Sequence, residues 1–308
     1  MYTSPDDLEN TGDEALENLV AEVERVAPSL VWHYTDQSGL IGILRSGAIW
    51  ATDAMFLNDR HELSHGKNRL RAALEDEVDG ADFAGLSLYL ERGWRHNVRT
   101  AVSCFCADGD LLSQWRGYSS PGGFAIGFDT NDLARRWIAG RAGLFLPVVY
   151  ARDDDQGTFR EWAQRVANAW REALGGGLQT AVGGRNPVAD SLAAEIGSKI
   201  WRFDREVGNL DALAARFKDP SFSEEQEWRL ITMIGNESSE ADVRPSAGGL
   251  VPFRSVPFQG SSADSPVREI RVGPGLDFER EQLAVQQLLD IVGYSNVTIS
   301  GSTVPFRP

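Results

Sequence analysis

Two carboxylates and a guanidinium occupy three alternate positions in one strand-like run of this sequence. Glu225, Glu227 and Arg229 share one face of a predicted strand that begins at residue 225, whereas Trp228 and Leu230 face the other way. The aromatic and aliphatic side chains suit a core face. The charged face is either a set of ion pairs or the working face of a cleft, and spacing alone leaves both interpretations open.

A second pattern that could do chemistry is His61-Glu62-Leu63-Ser64-His65, which matches the His-Glu-x-x-His spacing of a helical zinc site. The flanking segments, residues 58–60 and 66–69, are polar and indicate a solvated helix. A zinc peptidase needs a buried helix and a third ligand. We therefore predict no metal site here.

Other catalytic patterns have little support. The sequence has no Gly-x-Ser-x-Gly elbow and no phosphate-cradling glycine loop. Cys104 and Cys106 lie in an apolar segment without a neighbouring basic residue that would lower a thiol pKa. We interpret both cysteines as small core residues.

The elements that must position these residues follow from periodicity and from glycine and proline breaks. An N-terminal helix is expected within residues 1–28, and a single α+β domain is expected over residues 29–308 with a helical insert at about 155–217. Predicted strands and helices alternate, and the acidic, glycine-rich stretch 235–248 reads as an exposed loop. The main predicted helices are 8–27, 37–45, 60–77, 80–97, 131–137, 156–175, 187–217 and 278–292, and the main strands are 29–36, 48–52, 101–106, 124–128, 144–150, 225–234, 249–254, 267–272 and 297–300.

Composition narrows the class of protein. The chain has 308 residues, of which 42% are hydrophobic, and a net charge of −15 from 45 acidic and 30 basic residues. Such a field repels polyanions, so a protein acceptor or partner is favoured over nucleic acid. The acidic N-terminus lacks signal-peptide order and the chain has two cysteines, which predicts a cytoplasmic protein with no membrane partner.

Several motifs are scattered along the chain. They are residues 30–35, Leu57-Asn58-Asp59 with Glu62, Ser103-Cys104-Phe105, Trp115-x-x-Tyr118, Phe217-Lys218, Glu225-x-Glu227-Trp228-Arg229, residues 270–274 and residues 302–307. Together they resemble a widespread bacterial family of unknown function that is grouped with the ADP-ribosyltransferase superfamily. The resemblance covers nearly the whole chain beyond the first helix and explains Glu62 as part of an Asn-Asp-x-x-Glu motif.

The resemblance implies a fold in which split central β-sheets enclose an NAD cleft. His33 would hold a ribose of NAD, Ser103 would carry the second motif, and Tyr118, with Trp115 as the alternate, would pack on nicotinamide. Glu227 would be the catalytic glutamate, and Glu225 would take the place of the extra glutamate of arginine-modifying members. The second motif here is Ser-Cys-Phe rather than Ser-Thr-Ser, which leaves the acceptor open.

The implied chemistry suits these residue types. Loss of nicotinamide leaves a ribosyl cation, which a carboxylate stabilises. An aromatic face attracts the cationic ring, and Arg45, Arg116 or Arg229 could meet the pyrophosphate. Three functions are consistent with the pattern: an NAD-dependent ADP-ribosyltransferase of a bacterial defence or toxin system, an NAD glycohydrolase, and an inactive binding module of the same fold.

Overall fold

The computed structural model describes residues 17–57, 60–78, 80, 83, 86–87, 98–118, 122–150, 157–175, 214–235, 241–246, 249–258 and 264–305. The chain forms two compact units. The first comprises Met1–Phe56, Thr100–Val148 and Ser221–Pro308, and the second comprises Leu57–Arg99 and Val149–Pro220. A large mixed sheet flanked by helices confirms the α+β class. The domain boundaries predicted from the sequence stay a prediction.

The secondary-structure elements are numbered in chain order over the described residues. The helices are α1 (residues 17–26), α2 (Gln37–Ser46), α3 (Arg60–Glu77), α4 (Leu112–Tyr118), α5 (Thr130–Ala134), α6 (Gly157–Gly175) and α7 (Phe278–Val292). A π-helical segment, Arg135–Ala139, continues α5, and two 3₁₀ segments cover Ala54–Phe56 and Pro220–Glu225. The strands are β1 (Leu30–Thr35), β2 (Ala48–Asp53), β3 (Val98–Cys106), β4 (Phe124–Asp129), β5 (Leu144–Pro147), β6 (Val149–Tyr150), β7 (Phe217–Lys218), β8 (Glu227–Gly235), β9 (Ala241–Ser246), β10 (Gly249–Pro257), β11 (Val267–Val272) and β12 (Thr298–Gly301).

The large sheet runs in the order β12-β11-β4-β1-β3-β2-β10-β9, and β8, which also pairs with β5, branches from β3. Strands β11 and β12 are parallel, whereas β1 is antiparallel to both β3 and β4. Strand β3 changes partner along its length. Cys106 pairs with Trp32 of β1, and Val102 pairs with Thr52 of β2. Residues 103–105 pair with neither β1 nor β2, and we call this stretch the β3 gap.

Local signals explain why several elements begin and end where they do. The Asp36 side chain accepts a hydrogen bond from the Gly39 amide at 2.7 Å and caps α2. Gly47 ends α2 with φ of 61°, a left-handed conformation that favours glycine. Asp277 and Gly293 bound α7 in the same way. These capping residues set where the two helices begin and end.

Apolar side chains pack on both sides of the large sheet. One cluster centres on Phe105, whose ring lies 5.5–5.9 Å from those of Phe128, Trp137 and Phe145. A smaller cluster on the other side comprises Trp32, Tyr34, Cys106, Trp115 and Ala125. We call these the Phe105 cluster and the Trp115 cluster. Because side chains alternate along a strand, each residue of β3 belongs to one side or the other.

The second unit has its own apolar core. Helices α3 and α6 contribute Leu70, Leu74 and Phe159, and the Phe159 ring stacks on that of Phe217 at 4.1 Å. Gly66 allows close packing in this core, because a Cβ there would lie 2.4 Å from the Ala214 carbonyl oxygen. In addition, none of the helices that the structure describes has the length and apolar character needed to cross a bilayer.

Three sequence predictions need correction. The strand expected from residue 225 begins at Glu227, because Gln226 has a φ of 41° and interrupts the extended backbone. Residues 241–246, within the predicted loop, form β9 because their backbone pairs with β10. Phe217, the last residue of the predicted helix 187–217, begins the short strand β7. The rest of that helix before residue 214, most of the predicted helix 80–97 and residues 8–16 of the first helix lie outside the described residues.

Candidate functional site

Glu227 and Arg229 form a buried ion pair at the beginning of β8. Arg229 donates from Nε to Glu227 Oε1 at 2.7 Å and from Nη2 to Oε2 at 3.1 Å. Both side chains are only 2% exposed. Residues two apart on a strand point to the same side, which brings the two groups together. The sequence prediction that these residues share a face is therefore confirmed.

The backbone around Glu227 is held from both sides. The Ala107 amide donates to the Gln226 carbonyl at 3.3 Å, and the Val148 amide donates to the Glu227 carbonyl at 2.8 Å. The left-handed Gln226 lies between these contacts. A non-glycine residue in this conformation persists only where surrounding structure enforces it. The carboxylate thus projects from a rigid strand end rather than from a loop.

Glu225 does not belong to the strand. It is the last residue of the 3₁₀ segment Pro220–Glu225, and its side chain is half-buried. The turn at Gln226 separates it from Glu227. The alternation that would align Glu225 with Glu227 therefore fails, and the prediction of a shared strand face for the two glutamates is wrong.

The register of β3 and β8 shows on which side Glu227 points. Contacts join Ala107 to Gln226 at one end and the Thr100 hydroxyl to the Met233 sulfur, at 3.9 Å, at the other. The strands are therefore antiparallel, and the residue opposite Cys106 is Glu227. Because Cys106 belongs to the Trp115 cluster, Glu227 and Arg229 lie on that side of the sheet.

The two aromatic candidates of α4 have different environments on this same side. Trp115 is 1% exposed, packs edge-on against Tyr34 at 4.7 Å and donates from its indole nitrogen to Asp110 at 2.9 Å. It is a core residue with a satisfied polar atom. Tyr118, one turn later, is 50% exposed. Of the two, Tyr118 is the one whose aromatic side chain is exposed.

His33 occupies the β3 gap. Its Nδ1–H donates to the Cys104 carbonyl at 2.9 Å, and its ring lies 5.4 Å from that of Phe105. Burial lowers the pKa of His33, the Cys104 hydrogen bond opposes this, and the positive charge of Arg244 lowers the pKa further. The imidazole is therefore neutral near pH 7, with its proton on Nδ1 and an acceptor at Nε2.

Ser103 is buried at the start of the gap. It is 3% exposed, and its hydroxyl oxygen has no hydrogen-bond partner among the described residues. Alternation along β3 places its side chain on the same side as that of Phe105. Ser103 and His33 therefore belong to the Phe105 side, whereas Glu227 points to the Trp115 side. The predicted site residues thus form two groups rather than one.

The sequence interpretation missed Arg244. This residue of β9 donates from Nη2 to the Thr52 hydroxyl at 3.2 Å, and its charge acts on His33. It falls in the segment that composition assigned to a loop. Only the alternation of Asp242 and Arg244 with apolar Val243 could have indicated a strand, and so short a pattern is a weak signal.

The structure does not test whether the His-Glu-x-x-His pattern forms a metal site. His61, Glu62 and His65 lie within α3, but their side chains are outside the described part of the chain. Among the side chains that are described, no group of three His, Cys, Asp or Glu residues is placed to hold a metal ion.

Comparison with known proteins gives one match. The model of a family described as "Protein of unknown function (DUF2971)" matches residues 114–230. The matched segment contains Trp115, Tyr118 and the Glu225–Arg229 segment, whereas His33 and Ser103 lie before it. No curated protein and no solved structure matches the chain. This segment is therefore similar to a domain whose function is unknown.

Proposed function

We propose that this chain is an NAD-dependent ADP-ribosyltransferase of the split-sheet type, which cleaves the nicotinamide–ribose bond and transfers ADP-ribose to an acceptor that is a protein. Glu227 is the carboxylate that stabilises the ribosyl cation. The proposal rests on Glu227, Arg229 and Tyr118 rather than on His33 or Ser103, which point to the other side of the sheet. Roles for His33 and Ser103 toward NAD stay predictions.

The observation that carries the proposal is the buried Glu227–Arg229 pair. Removing two charges from water costs several kcal/mol per ion, and apolar residues of similar volume often stabilise a fold equally well or better. Structural stability alone is therefore a weak reason for this pair. Buried carboxylates held by a specific charge partner are typical of functional sites.

The chemistry of the pair suits a reaction that develops positive charge. Arg229 donates one hydrogen bond to each oxygen of the Glu227 carboxylate. A carboxylate can accept a hydrogen bond from a ribose hydroxyl and can stabilise positive charge at C1′. Because Arg229 orients the carboxylate in advance, little reorganisation is needed as charge develops.

The reaction balances without a further reagent. The bond between C1′ and the nicotinamide nitrogen breaks, and its electron pair leaves with neutral nicotinamide. An acceptor nucleophile then bonds to C1′ and releases its proton to the solvent. Tyr118 supplies an aromatic surface for the cationic ring, a contact of about 0.5–2 kcal/mol. Its exposure on α4, on the same side of the sheet as Glu227, supports this assignment.

A second candidate, NAD binding without turnover, is favoured by one observation. Glu227 is only 2% exposed and already engaged by a bidentate guanidinium. A carboxylate so enclosed could hold a nucleotide-binding fold together without reaching C1′. This alternative and the transferase make different predictions about nicotinamide release.

The experiment combines calorimetry with chromatography. The purified chain is titrated with NAD, and free nicotinamide is then measured over time with and without a bacterial protein extract. The transferase predicts nicotinamide release together with labelled protein when the NAD carries a labelled adenine. Release without labelled protein indicates the glycohydrolase, binding without release indicates the inactive module, and the absence of both excludes all three.

A further inference from the structure

Trp50 exposes part of its indole on an interior strand of the large sheet. Strand β2 lies between β3 and β10, yet 38% of Trp50 is exposed. Its ring lies 4.7 Å from that of Phe253 on β10, which is only 6% exposed. The buried phenyl ring therefore supports the indole from below. An exposed aromatic ring held in this way is the kind of surface on which a nucleobase stacks.

Arg244 brings a guanidinium to the same face of the sheet. It donates from Nη2 to the hydroxyl of Thr52 at 3.2 Å, and Thr52 follows Trp50 by two residues on β2. Residues paired across strands share a face, as do residues two apart on one strand. The strand register agrees with the hydrogen bond, because the β10 partners of Arg244, Thr52 and Trp50 are alternate residues. These partners are Val251, Phe253 and Ser255, respectively.

Most donors of the Arg244 guanidinium are unused. A guanidinium carries five N–H donors, and the bond to Thr52 uses one of them. The Nε is buried and makes no hydrogen bond to any described residue. Within the described segments Arg244 has no carboxylate partner, since Asp242 on the same face of β9 accepts from the Val243 amide at 2.7 Å instead. A buried donor without an acceptor costs about 1–3 kcal/mol, so this group is suited to an anionic ligand.

The face that carries Trp50 and Arg244 is also the one toward which Glu227 points. Thr52 pairs with Val102 of β3, and Val102 alternates with Cys106, the residue opposite Glu227. Thr52 and Glu227 therefore lie on the same side of the sheet. Four residues of β3 separate Val102 from Cys106, which corresponds to about 13 Å along the strand.

We propose that Trp50 and Arg244 form a binding site for a nucleoside phosphate, in which the base stacks on the indole and the guanidinium binds the phosphate. Alternate residues of a strand are about 6.5 Å apart. The indole and the guanidinium bonded to Thr52 are therefore anchored at a spacing comparable to that of a base and a phosphate joined by one ribose. A planar guanidinium donates two parallel hydrogen bonds to phosphate oxygens. The site does not depend on NAD cleavage at Glu227.

The test is calorimetric titration of the full chain with AMP, and with adenosine and inorganic phosphate as probes of each group alone. AMP is expected to bind more tightly than either, because it engages both side chains. Arg244→Gln is expected to weaken AMP binding by about tenfold or more and to leave adenosine binding unchanged. Trp50→Leu is expected to weaken AMP and adenosine binding alike, by about fivefold or more.

Two further variants serve as controls, and thermal unfolding checks the fold of each protein. Trp50→Phe keeps an aromatic face and should retain AMP binding. Arg268→Gln removes an exposed arginine of β11 and should leave AMP binding unchanged. If Arg244→Gln does not fold, Arg244→Lys keeps the charge but loses the planar fork, and it should weaken AMP binding while leaving adenosine binding unchanged.

Titration with NAD identifies the source of the nucleoside phosphate. Parallel loss of NAD and AMP affinity in Arg244→Gln assigns the site to the adenylate half of NAD, whereas unchanged NAD affinity assigns it to a separate nucleotide. The proposal is overturned by the absence of AMP binding, by equal affinity for AMP and adenosine, or by unchanged AMP affinity in Arg244→Gln or Trp50→Leu. AMP binding without nicotinamide release from NAD would reject only the proposed function, and nicotinamide release without AMP binding would reject only this site.

Discussion

Arg229 binds Glu227 through two hydrogen bonds, of 2.7 and 3.1 Å, at the buried start of the strand that branches from β3. The pair is enclosed on the side of the sheet that carries the Trp115 cluster. Because the pair is buried, a substitution that removes one partner leaves the charge of the other in an apolar environment.

The first prediction concerns the contribution of this ion pair to stability. Arg229→Met is expected to lower the free energy of unfolding by about 3–5 kcal/mol, because the Glu227 carboxylate stays buried without its partner. Denaturant titration at neutral pH measures the loss. Arg268→Met is the control, since its exposed pairs with Asp129 and Asp132 are worth about 0–1 kcal/mol. If the two variants lose equal free energy of unfolding, the buried Glu227–Arg229 pair contributes no more than the exposed pairs of Arg268.

The second prediction separates the two aromatic residues of α4. Tyr118→Ala is expected to weaken NAD binding by about three- to thirtyfold without lowering the thermal midpoint, because the side chain is half exposed. Tyr118→Phe keeps the aromatic face and should bind normally. Trp115→Ala, by contrast, should cost about 3–5 kcal/mol of stability through the cavity it leaves. Unchanged NAD affinity in Tyr118→Ala would show that Tyr118 does not contact NAD.

The third prediction follows from Asp110. Burial raises the pKa of this carboxyl, but hydrogen bonds from Ser302, Thr303 and Trp115 outweigh burial and lower the pKa below its usual range. A lowered acid pKa contributes stability that is complete above the unfolded pKa, about 4, and is lost as pH falls through the folded value. The free energy of unfolding of the unmodified chain should therefore decline below about pH 4.

The Asp110→Asn variant provides the comparison. It lacks this titration, so its stability should start lower at neutral pH and fall less steeply on acidification. Unfolding curves at several pH values between about 3 and 7 measure both effects. Parallel pH profiles for the two proteins would contradict the assignment of the C-terminal contacts at Ser302 and Thr303 to Asp110.

The fourth prediction concerns His33. Its pKa is lowered in the folded chain, mainly by burial, so protonation favours the unfolded state. A histidine held neutral contributes stability above the unfolded pKa, about 6.5, and loses it as pH falls below that value. His33→Gln should therefore reduce the drop in stability between about pH 6.5 and pH 5. An imidazole titration by NMR with a midpoint at or above 6.5 would contradict this account.

Local chemistry made much of the fold predictable. The helix ending at Gly47, the strand Val267–Val272 and the helix Phe278–Val292 follow from capping residues and apolar periodicity close in sequence. The pairing of Glu227 with Arg229 likewise needs only the alternation of a strand. These features depend on interactions between residues near one another in the chain, so the sequence shows them directly.

The remaining features depend on contacts between distant segments. The start of β8 is set by the left-handed Gln226, which no residue type in the segment indicates. The separation of His33 from Glu227 follows from the register between β3 and β8, which are more than a hundred residues apart. Sequence patterns give little indication of Arg244, because its strand, β9, depends on pairing with β10. Pairing register is not encoded in short patterns.

The most direct test of the central claim compares two glutamates with the same local arrangement. Glu269 on β11 is bonded by Arg271 two residues later, at 2.9 Å, as Glu227 is by Arg229. Nicotinamide release from NAD is measured for Glu227→Gln and Glu269→Gln at equal folded concentration. We predict that Glu227→Gln releases no nicotinamide above background while Glu269→Gln matches the unmodified chain. Undiminished release by Glu227→Gln would contradict the account.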